Sequence, residues 1–482
     1  MSFVIFNVAL AGASAAAFYL TGRAAVKLAR LPVDGVAERL AIYPAVGMAA
    51  YALAFTGLGF AGLYNRPVAF AALGIGLALV FVDLSSMPDE IRRTISRFKK
   101  TATEYKNPVR PTLLWAALAL SATTAIVALL PQLWWDVLSY HLTLPLKYIL
   151  AGRLYYVPDV RASSFPQYQE QLNLFGMLLY STRLSPLFVV LTWNVILATV
   201  YAAGRRIYGK TAGFYAAIVF LVTPFILYFL PYGINDHWWA MFFALSLYFI
   251  LRWYEKISWR DLAAAAILAG IAFGSKILQG FLLPVYLMIL IAAAYASRTG
   301  AVKSTASLFG FVILTFAVAS PWFLRNWAQT GDPLGFIADD YSQVSMWRGE
   351  GTPGGSVIDH FLWFFSLPTF RGPELTLRNL IETPFLITVG RTTWGSSNGV
   401  GLLLYPGIIL SFFVKNRRKT SLLIFVSLIL HFGIWVFLMK TTTPRYLYPA
   451  IPLGAVAAGA GYAWVTGNTI SWKKTAAKVG FA

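Results

Sequence analysis

The feature that most constrains this chain is a run of about thirteen apolar stretches, each near the ~20 residues needed to cross a ~30 Å hydrocarbon core. They lie at about 2–22, 40–63, 68–84, 112–131, 185–203, 211–230, 238–252, 262–275, 277–297, 305–322, 400–414, 420–439 and 446–465. With 58% hydrophobic and only 12% charged residues, the composition excludes an ordinary soluble domain. The expected fold class is an all-α polytopic membrane protein.

A net charge of +20 would suggest nucleic acid as a partner in a soluble chain, but here topology accounts for it. The first apolar stretch has no Lys or Arg before it and is followed by Arg23, Lys27 and Arg30, the reverse of a signal peptide. It is expected to be a retained helix with its N-terminus outside. Counting spans from there places 26 of the 39 Lys and Arg in the cytoplasm, as the positive-inside rule requires. Eleven of the 19 acids fall on the other side, mostly in two long loops, 132–184 and 323–399. These outer loops, rich in Trp, Tyr and Pro, are expected to fold as a cap on the helix bundle. There are no cysteines, so disulfides and thiolate metal sites are excluded.

Four regions are expected: N-terminal accessory transmembrane helices at 1–86, a basic cytoplasmic linker at 87–111, a catalytic transmembrane module at 112–300 containing the first outer loop, and C-terminal transmembrane helices at 301–482. Within the first loop, "LSYHLTLPLKYILAGRL" reads as one or two short interfacial helices, with Leu142, Leu146, Ile149 and Leu150 available to lipid.

Polar residues concentrate at the outer ends of the spans. Asp136 follows Trp134 and Trp135 where the fourth span leaves the membrane. It reads either as a solvated helix end in the aromatic belt or as a general base for a hydroxyl acceptor, with Tyr140 one turn on. His141 is five residues away, roughly 140° around a helix, so no direct Asp–His pair is expected. In the turn "PYGINDHWW", Asp236 and His237 either cap the next helix or orient an acceptor near Asp136. Two Asp and two His from separate loops lack a fixed ligand spacing, so a divalent metal is not favoured.

Lys276 interrupts apolar sequence at an outer-leaflet depth. A lysine facing lipid there costs ~2.5 kcal/mol or more, which argues for an anionic partner or a water-filled cavity, with snorkelling to headgroups as the alternative. Arg325 ends one span and Arg445 begins another. Each reads as a lipid-headgroup contact or, with Lys276, as part of a site for a phosphate carried on a lipid, in which guanidinium supplies the bidentate clamp.

The segments "WDVLSYHLTLPLKYILAGRL", "SKILQGFLLP", "PWFLRN…GDPLGF" and "TPRYLYPAIP", in this order, resemble the bacterial branch of the GT-C superfamily of integral-membrane glycosyltransferases. That branch is related to protein O-mannosyltransferases and lipid A aminoarabinose transferases. The resemblance covers about 112–465. It implies a GT-C-type bundle, a sugar donor linked to polyprenyl phosphate, an extracytoplasmic acceptor hydroxyl, inversion at the anomeric carbon and Asp136 as the base. Two differences stand out: Asp136 is followed by Val137 where protein mannosyltransferases carry an Asp-Glu pair, and "SSFPQYQEQL", with Glu170 as its acid, stands where aminoarabinose transferases carry Lys-Pro-Pro. The expected phosphate site is Lys276, Arg325 and Arg445; Tyr140, His141, Glu170, Asp236 and His237 are expected to contact substrate. Phosphate leaves already charged, so neither a general acid nor a metal cofactor is needed. A lipid-linked sugar transporter and a non-catalytic subunit of an envelope complex are the alternatives.

The orientation is directly testable because the chain lacks cysteine. Glu350→Cys in intact cells is expected to react with a membrane-impermeant maleimide; labelling only after the membrane is permeabilised would invert the topology.

Overall fold

Each of the thirteen expected stretches contains helix in the computed structural model, which describes residues 2–83, 92, 109–296, 300–334, 377–388, 399–438 and 444–479. Most of the linker 87–111, and positions 335–376 and 389–398 of the second long loop, lie outside the described residues. No strand occurs among the described residues. Six helical stretches are long and apolar enough to cross a membrane, namely Ser2–Leu28, Val36–Phe60, Leu184–Tyr208, Ile277–Ala296, Val302–Thr330 and Lys415–Val436.

The chain begins with an antiparallel pair, α1 (Ser2–Leu28) and α2 (Val36–Phe60), followed by α3 (Arg66–Ala78). The start of α3 is written locally: Asn65 accepts from the Val68 amide at 3.0 Å and Pro67 occupies the first turn. The α1–α2 crossing is close because two glycines face the opposing backbone. A Cβ at Gly22 would lie 1.8 Å from the Tyr43 carbonyl oxygen, and one at Gly47 would lie 1.8 Å from that of Phe18. α2 then packs along α7 (Leu184–Tyr208), which joins the first helices to the rest of the bundle.

Between α4 (Val109–Ala128) and α7 the first long loop carries α5 (Thr143–Ala151) and α6 (Tyr168–Leu179). α5 is amphipathic as expected: Leu146 and Leu150 are exposed while Leu144 and Tyr148 are buried. Leu142, expected to be available to lipid, is buried instead, since it closes the turn preceding α5. α6 is buried along almost its whole length, including Gln169, Glu170, Gln171 and Asn173.

The stretch expected as one span at 211–230 is two helices, α8 (Lys210–Leu221) and α9 (Pro224–Phe229). Pro224 supplies the break: it sits at the first helical position, and Thr223 before it is extended, as a residue preceding proline prefers to be. Next come α10 (Asp236–Lys256) and α11 (Trp259–Phe273), an antiparallel hairpin turned at Ile257 in the left-handed region. Its register is fixed at three levels. Arg252 pairs with Asp261 at 2.8 Å, the Ser246 hydroxyl donates to the Ala265 carbonyl at 2.8 Å, and Lys276 pairs with Asp236 at 2.5 Å. Each pair is centred within one residue of Lys256, so the turn position alone brings residues 236 and 276 together.

After a short 3₁₀ turn at Ile277–Leu282 the chain continues through α12 (Leu283–Ala296), α13 (Ala301–Thr330), α14 (Leu377–Thr388), α15 (Leu404–Leu410), α16 (Arg418–Gly433) and α17 (Ala450–Val479). α17 packs on α8 and α15, and α13 on α11.

The glycine contact of α1 with α2 predicts an asymmetry within one helix. Gly47→Ala should lower the melting temperature, because the added methyl meets backbone that cannot yield, an overpacking cost of ~1–3 kcal/mol. Gly57→Ala, also in α2 but with nothing within 4 Å, should leave it unchanged or raise it, since Ala is favoured over Gly in a helix by about 1 kcal/mol. Thermal melts of the two variants in one detergent decide it; equal losses would mean that the glycines do not set the crossing.

Candidate active site

Asp136 is helical and immediately precedes a π turn, Val137–His141, closed by the Leu142 amide donating to the Val137 carbonyl at 2.9 Å. The wider ring changes the angular spacing expected of an α-helix, and such turns recur at functional sites. A second π turn, Ile434–Leu438, precedes the short 3₁₀ turn Pro444–Leu447 that carries Arg445. The two meet: Arg445 Nη1 donates to Asp136 Oδ2 across 309 residues, with both side chains mostly buried.

The second ion pair stands beside the first. Lys276 Nζ is 2.5 Å from Asp236 Oδ1 and donates to Asn235 Oδ1 at 3.3 Å. It also lies 5.1 Å from the Trp239 ring centroid and 5.2 Å from that of Tyr446, within cation–π range. The Arg445 guanidinium is 5.1 Å from the same Tyr446 ring, and its Nη2 donates to the Tyr446 hydroxyl at 3.2 Å. Tyr446 is therefore a neighbour shared by the two cations, each of which is also paired with a carboxylate. The depth argument for Lys276 is met by an anionic partner rather than by lipid.

Asp236 precedes the apolar part of α10 and is buried. Burial pushes its carboxyl up, but Lys276 and Arg445 outweigh it and hold the group below its usual range. The Tyr140 phenol is pushed well above its ordinary value, first by burial and then by the Asp136 carboxylate, so it stays a neutral donor. His237 is fully buried, with its ring edge-on to Tyr448 at 4.9 Å. Burial lowers its pKa to about 4, with Asp236 opposing the shift.

His141 is buried and hydrogen-bonds Glu170, with Nδ1 and Oε1 2.5 Å apart. Its ring lies 4.1 Å from that of Tyr140, and its carbonyl accepts from Asn173 Nδ2 at 3.0 Å. Asp136, Tyr140, Asp236, Lys276 and Arg445 are thus brought together, with His141 and Glu170 behind them. Among the described residues, no group of three or more His, Asp or Glu side chains is placed to hold a metal ion.

Arg325, expected as a third phosphate ligand, has different partners. It is buried, and its guanidinium donates to the Ser163 carbonyl, to Asn326 Oδ1 at 2.7 and 3.1 Å, and to the Tyr148 hydroxyl at 3.5 Å. Two of these four bonds tie the guanidinium to the first long loop, and the other two go to the neighbouring Asn326. Asn326 strengthens the anchor by donating to the Ser164 carbonyl at 2.7 Å.

Sequence reading missed Tyr446 and Asn235. The run "TPRYLYP" placed an aromatic beside the arginine, which is the signal that marks Tyr446. Asn235, next to Asp236, bridges the site by donating to the Ser275 carbonyl at 3.1 Å while accepting from Lys276. Trp134 packs against Phe229 at 5.1 Å, whereas Trp135 is exposed and suits an aromatic belt.

The buried pair gives a stability prediction. Lys276→Met leaves Asp236 buried and uncompensated by its nearest cation, a loss of ~3–5 kcal/mol, and the double variant Lys276→Met/Asp236→Asn should recover most of it. Because the folded Asp236 carboxyl lies below its ordinary value, its contribution is fully present above the unfolded pKa of ~3.9 and disappears as pH falls through the folded value. Denaturation of the wild type, the Lys276→Met and Asp236→Asn single variants and the double variant at pH 7 and at about pH 2, below the unfolded value, measures both effects. Additive losses in the double variant would show that the pair is not coupled.

Residues 172–325 match the family model described as dolichyl-phosphate-mannose-protein mannosyltransferase. This segment runs from α6 to α13 and holds Asp236, Lys276 and Arg325. No curated protein matches the chain. Among solved structures, the chain aligns with ArnT from Cupriavidus metallidurans bound to undecaprenyl phosphate at 15% identity and a TM-score of 0.49, covering 74% of this chain and 60% of that one. It also aligns with the Archaeoglobus fulgidus oligosaccharyltransferase tethered to an acceptor peptide at 16% identity and a TM-score of 0.43, covering 73% and 50%. The chain thus spans about 60% of the first of these proteins and half of the second. Over residues 172–325 the chain is similar to the protein mannosyltransferase family, which supports the resemblance to GT-C integral-membrane glycosyltransferases read from its motifs.

Proposed function

We propose that this protein is an inverting glycosyltransferase that moves a sugar from a polyprenyl-phosphate donor to an acceptor hydroxyl at the extracytoplasmic face of the plasma membrane. The observation that carries this reading is the pairing of Asp136 with Arg445 beside that of Lys276 with Asp236. A carboxylate suited to take a proton and two cations suited to hold a phosphate share one end of the helix bundle. The matched family, named for a dolichyl-phosphate-linked sugar, supports the class of donor.

In this mechanism the donor phosphate lies against Arg445 and Lys276. It competes with Asp136 for the guanidinium, so donor binding frees the carboxylate. The acceptor oxygen attacks the anomeric carbon from the face opposite the phosphate, its proton passes to Asp136, and the bond from that carbon to phosphate oxygen breaks with its electron pair. The cations stabilise the charge that develops on the leaving phosphate, an electrostatic contribution typically worth several kcal/mol. Tyr140, as a neutral phenol next to Asp136, donates a hydrogen bond to acceptor or donor sugar. Arg325 takes no part in holding phosphate; it anchors the loop that carries the base.

Asp136→Asn should abolish transfer, a loss of at least about a hundredfold, while donor retention stays at or above the wild-type level because the phosphate no longer competes with a carboxylate for Arg445. Arg445→Lys should impair turnover despite keeping the charge, because the fork becomes a single ammonium. Turnover with a panel of radiolabelled polyprenyl-phosphate sugars, alongside donor retention, makes the measurement. An Asp136→Asn protein with activity within threefold of wild type would remove this carboxylate from the chemistry.

A further inference from the structure

The helices before residue 80 lie outside the family match, yet they hold the part of the chain that carries the candidate base. Their grip converges on α6. Tyr64, in the turn between α2 and α3, donates its hydroxyl to Gln171 Oε1 at 2.5 Å, with both side chains buried. Arg66, in the first turn of α3, donates from Nε and Nη2 to the Leu178 and Leu179 carbonyls at 3.2 Å each. Those carbonyls belong to the last turn of α6, where a helix has no partners of its own to offer. Backbone bonds add to the grip: the Tyr64 amide donates to the Gly152 carbonyl at 3.1 Å, and the Leu154 amide donates to the Gly59 carbonyl at 2.9 Å.

α6 passes this grip to the site. Successive helical residues point roughly 100° apart, so Glu170 and Gln171 face different partners. Gln171 meets Tyr64, while Glu170 Oε1 holds His141 Nδ1 at 2.5 Å. Asn173 donates to the His141 carbonyl at 3.0 Å. The π turn after Asp136 is therefore held at both the side chain and the backbone of its last residue. At its other end α6 is seated on the turn leading to Lys276, with the Tyr168 amide donating to the Gly274 carbonyl at 2.9 Å. A π turn is an uncommon conformation, and here its shape depends on a helix that is itself positioned from outside the matched segment.

We propose that Tyr64 and Arg66 are positioning residues for Asp136, acting through α6 and the Glu170–His141 contact. The assignment rests on the reading of Asp136 as the reacting carboxylate. It makes the N-terminal helices part of the catalytic unit through their contacts with α6.

The test uses the full-length protein with ¹⁵N-labelled histidine in detergent. The chain has four histidines, so the His141 ring signal is assigned with His141→Asn. Tyr64→Phe removes one hydroxyl and should move the His141 signal while leaving those of His237 and His431 in place. It should also lower kcat about tenfold or more with the donor KM within about twofold, the pattern of a misplaced group rather than a lost ligand. Arg66→Lys, which cannot span two carbonyls, should act in the same direction. A merely structural role predicts a lower melting temperature with an unmoved His141 signal and an unchanged kcat, and that result overturns the proposal. A moved signal with wild-type kcat overturns it too. If Asp136→Asn is fully active while Tyr64→Phe still moves the His141 signal, the reading of Asp136 fails and the coupling through α6 stands.

Discussion

The arrangement of this protein depends on a contact between charges that cannot be left unpaired away from water. Asp136 and Arg445 lie 309 residues apart in the chain and are both mostly buried. A lone buried charge costs several kcal/mol, so each is tolerable only beside the other. Next to them Lys276 and Asp236 obey the same rule. The four charges sum to zero and share one aromatic neighbour, Tyr446. Such a quartet is stable as long as nothing better arrives. An anionic ligand of the right size offers the cations an alternative partner, and the carboxylates are released when it does.

Much of this was legible in the sequence, and the reasons are physical. Hydropathy reads long apolar runs well, because a bilayer imposes a length on every segment that crosses it. Lys276 announced itself because a cation in apolar sequence must have an explanation. The pairing of Asp236 with Lys276 was also within reach, since both lie the same distance from the turn at Ile257. The partners of Arg325 were not legible, because its position at a helix end does not reveal what its guanidinium meets. The π turn after Asp136 has no sequence signature, and it sets where Tyr140 and His141 point. The burial of α6 was hidden as well: "QYQEQLN" is polar enough to suggest solvent, yet Gln171, Glu170 and Asn173 find partners in three separate parts of the chain, at Tyr64, His141 and Ser185.

The polar character of α6 has a consequence for how the molecule holds together. A membrane bundle cannot rely on water being expelled from between its helices, because lipid tails are as apolar as leucine. Close glycine contacts serve α1 and α2, but the loop elements need direction as well as proximity. Hydrogen bonds from Tyr64, Arg66, Asn173 and Arg325 supply it. The same network makes the loop intolerant of small shifts, as the proposed reaction would require.

The α10–α11 hairpin carries a last consequence. Its charged pairs stand at the two ends, Arg252 with Asp261 at one and Asp236 with Lys276 at the other. From Asp236 to Arg252 the helix rises about 24 Å at ~1.5 Å per residue, a little less than the thickness of a hydrocarbon core. The two pairs therefore fix the length of the hairpin as well as its register. One residue gained or lost in only one of its two arms would turn Lys276 by about 100° relative to Asp236. Changes in length can be accepted in the connections beyond the two pairs, but not between them.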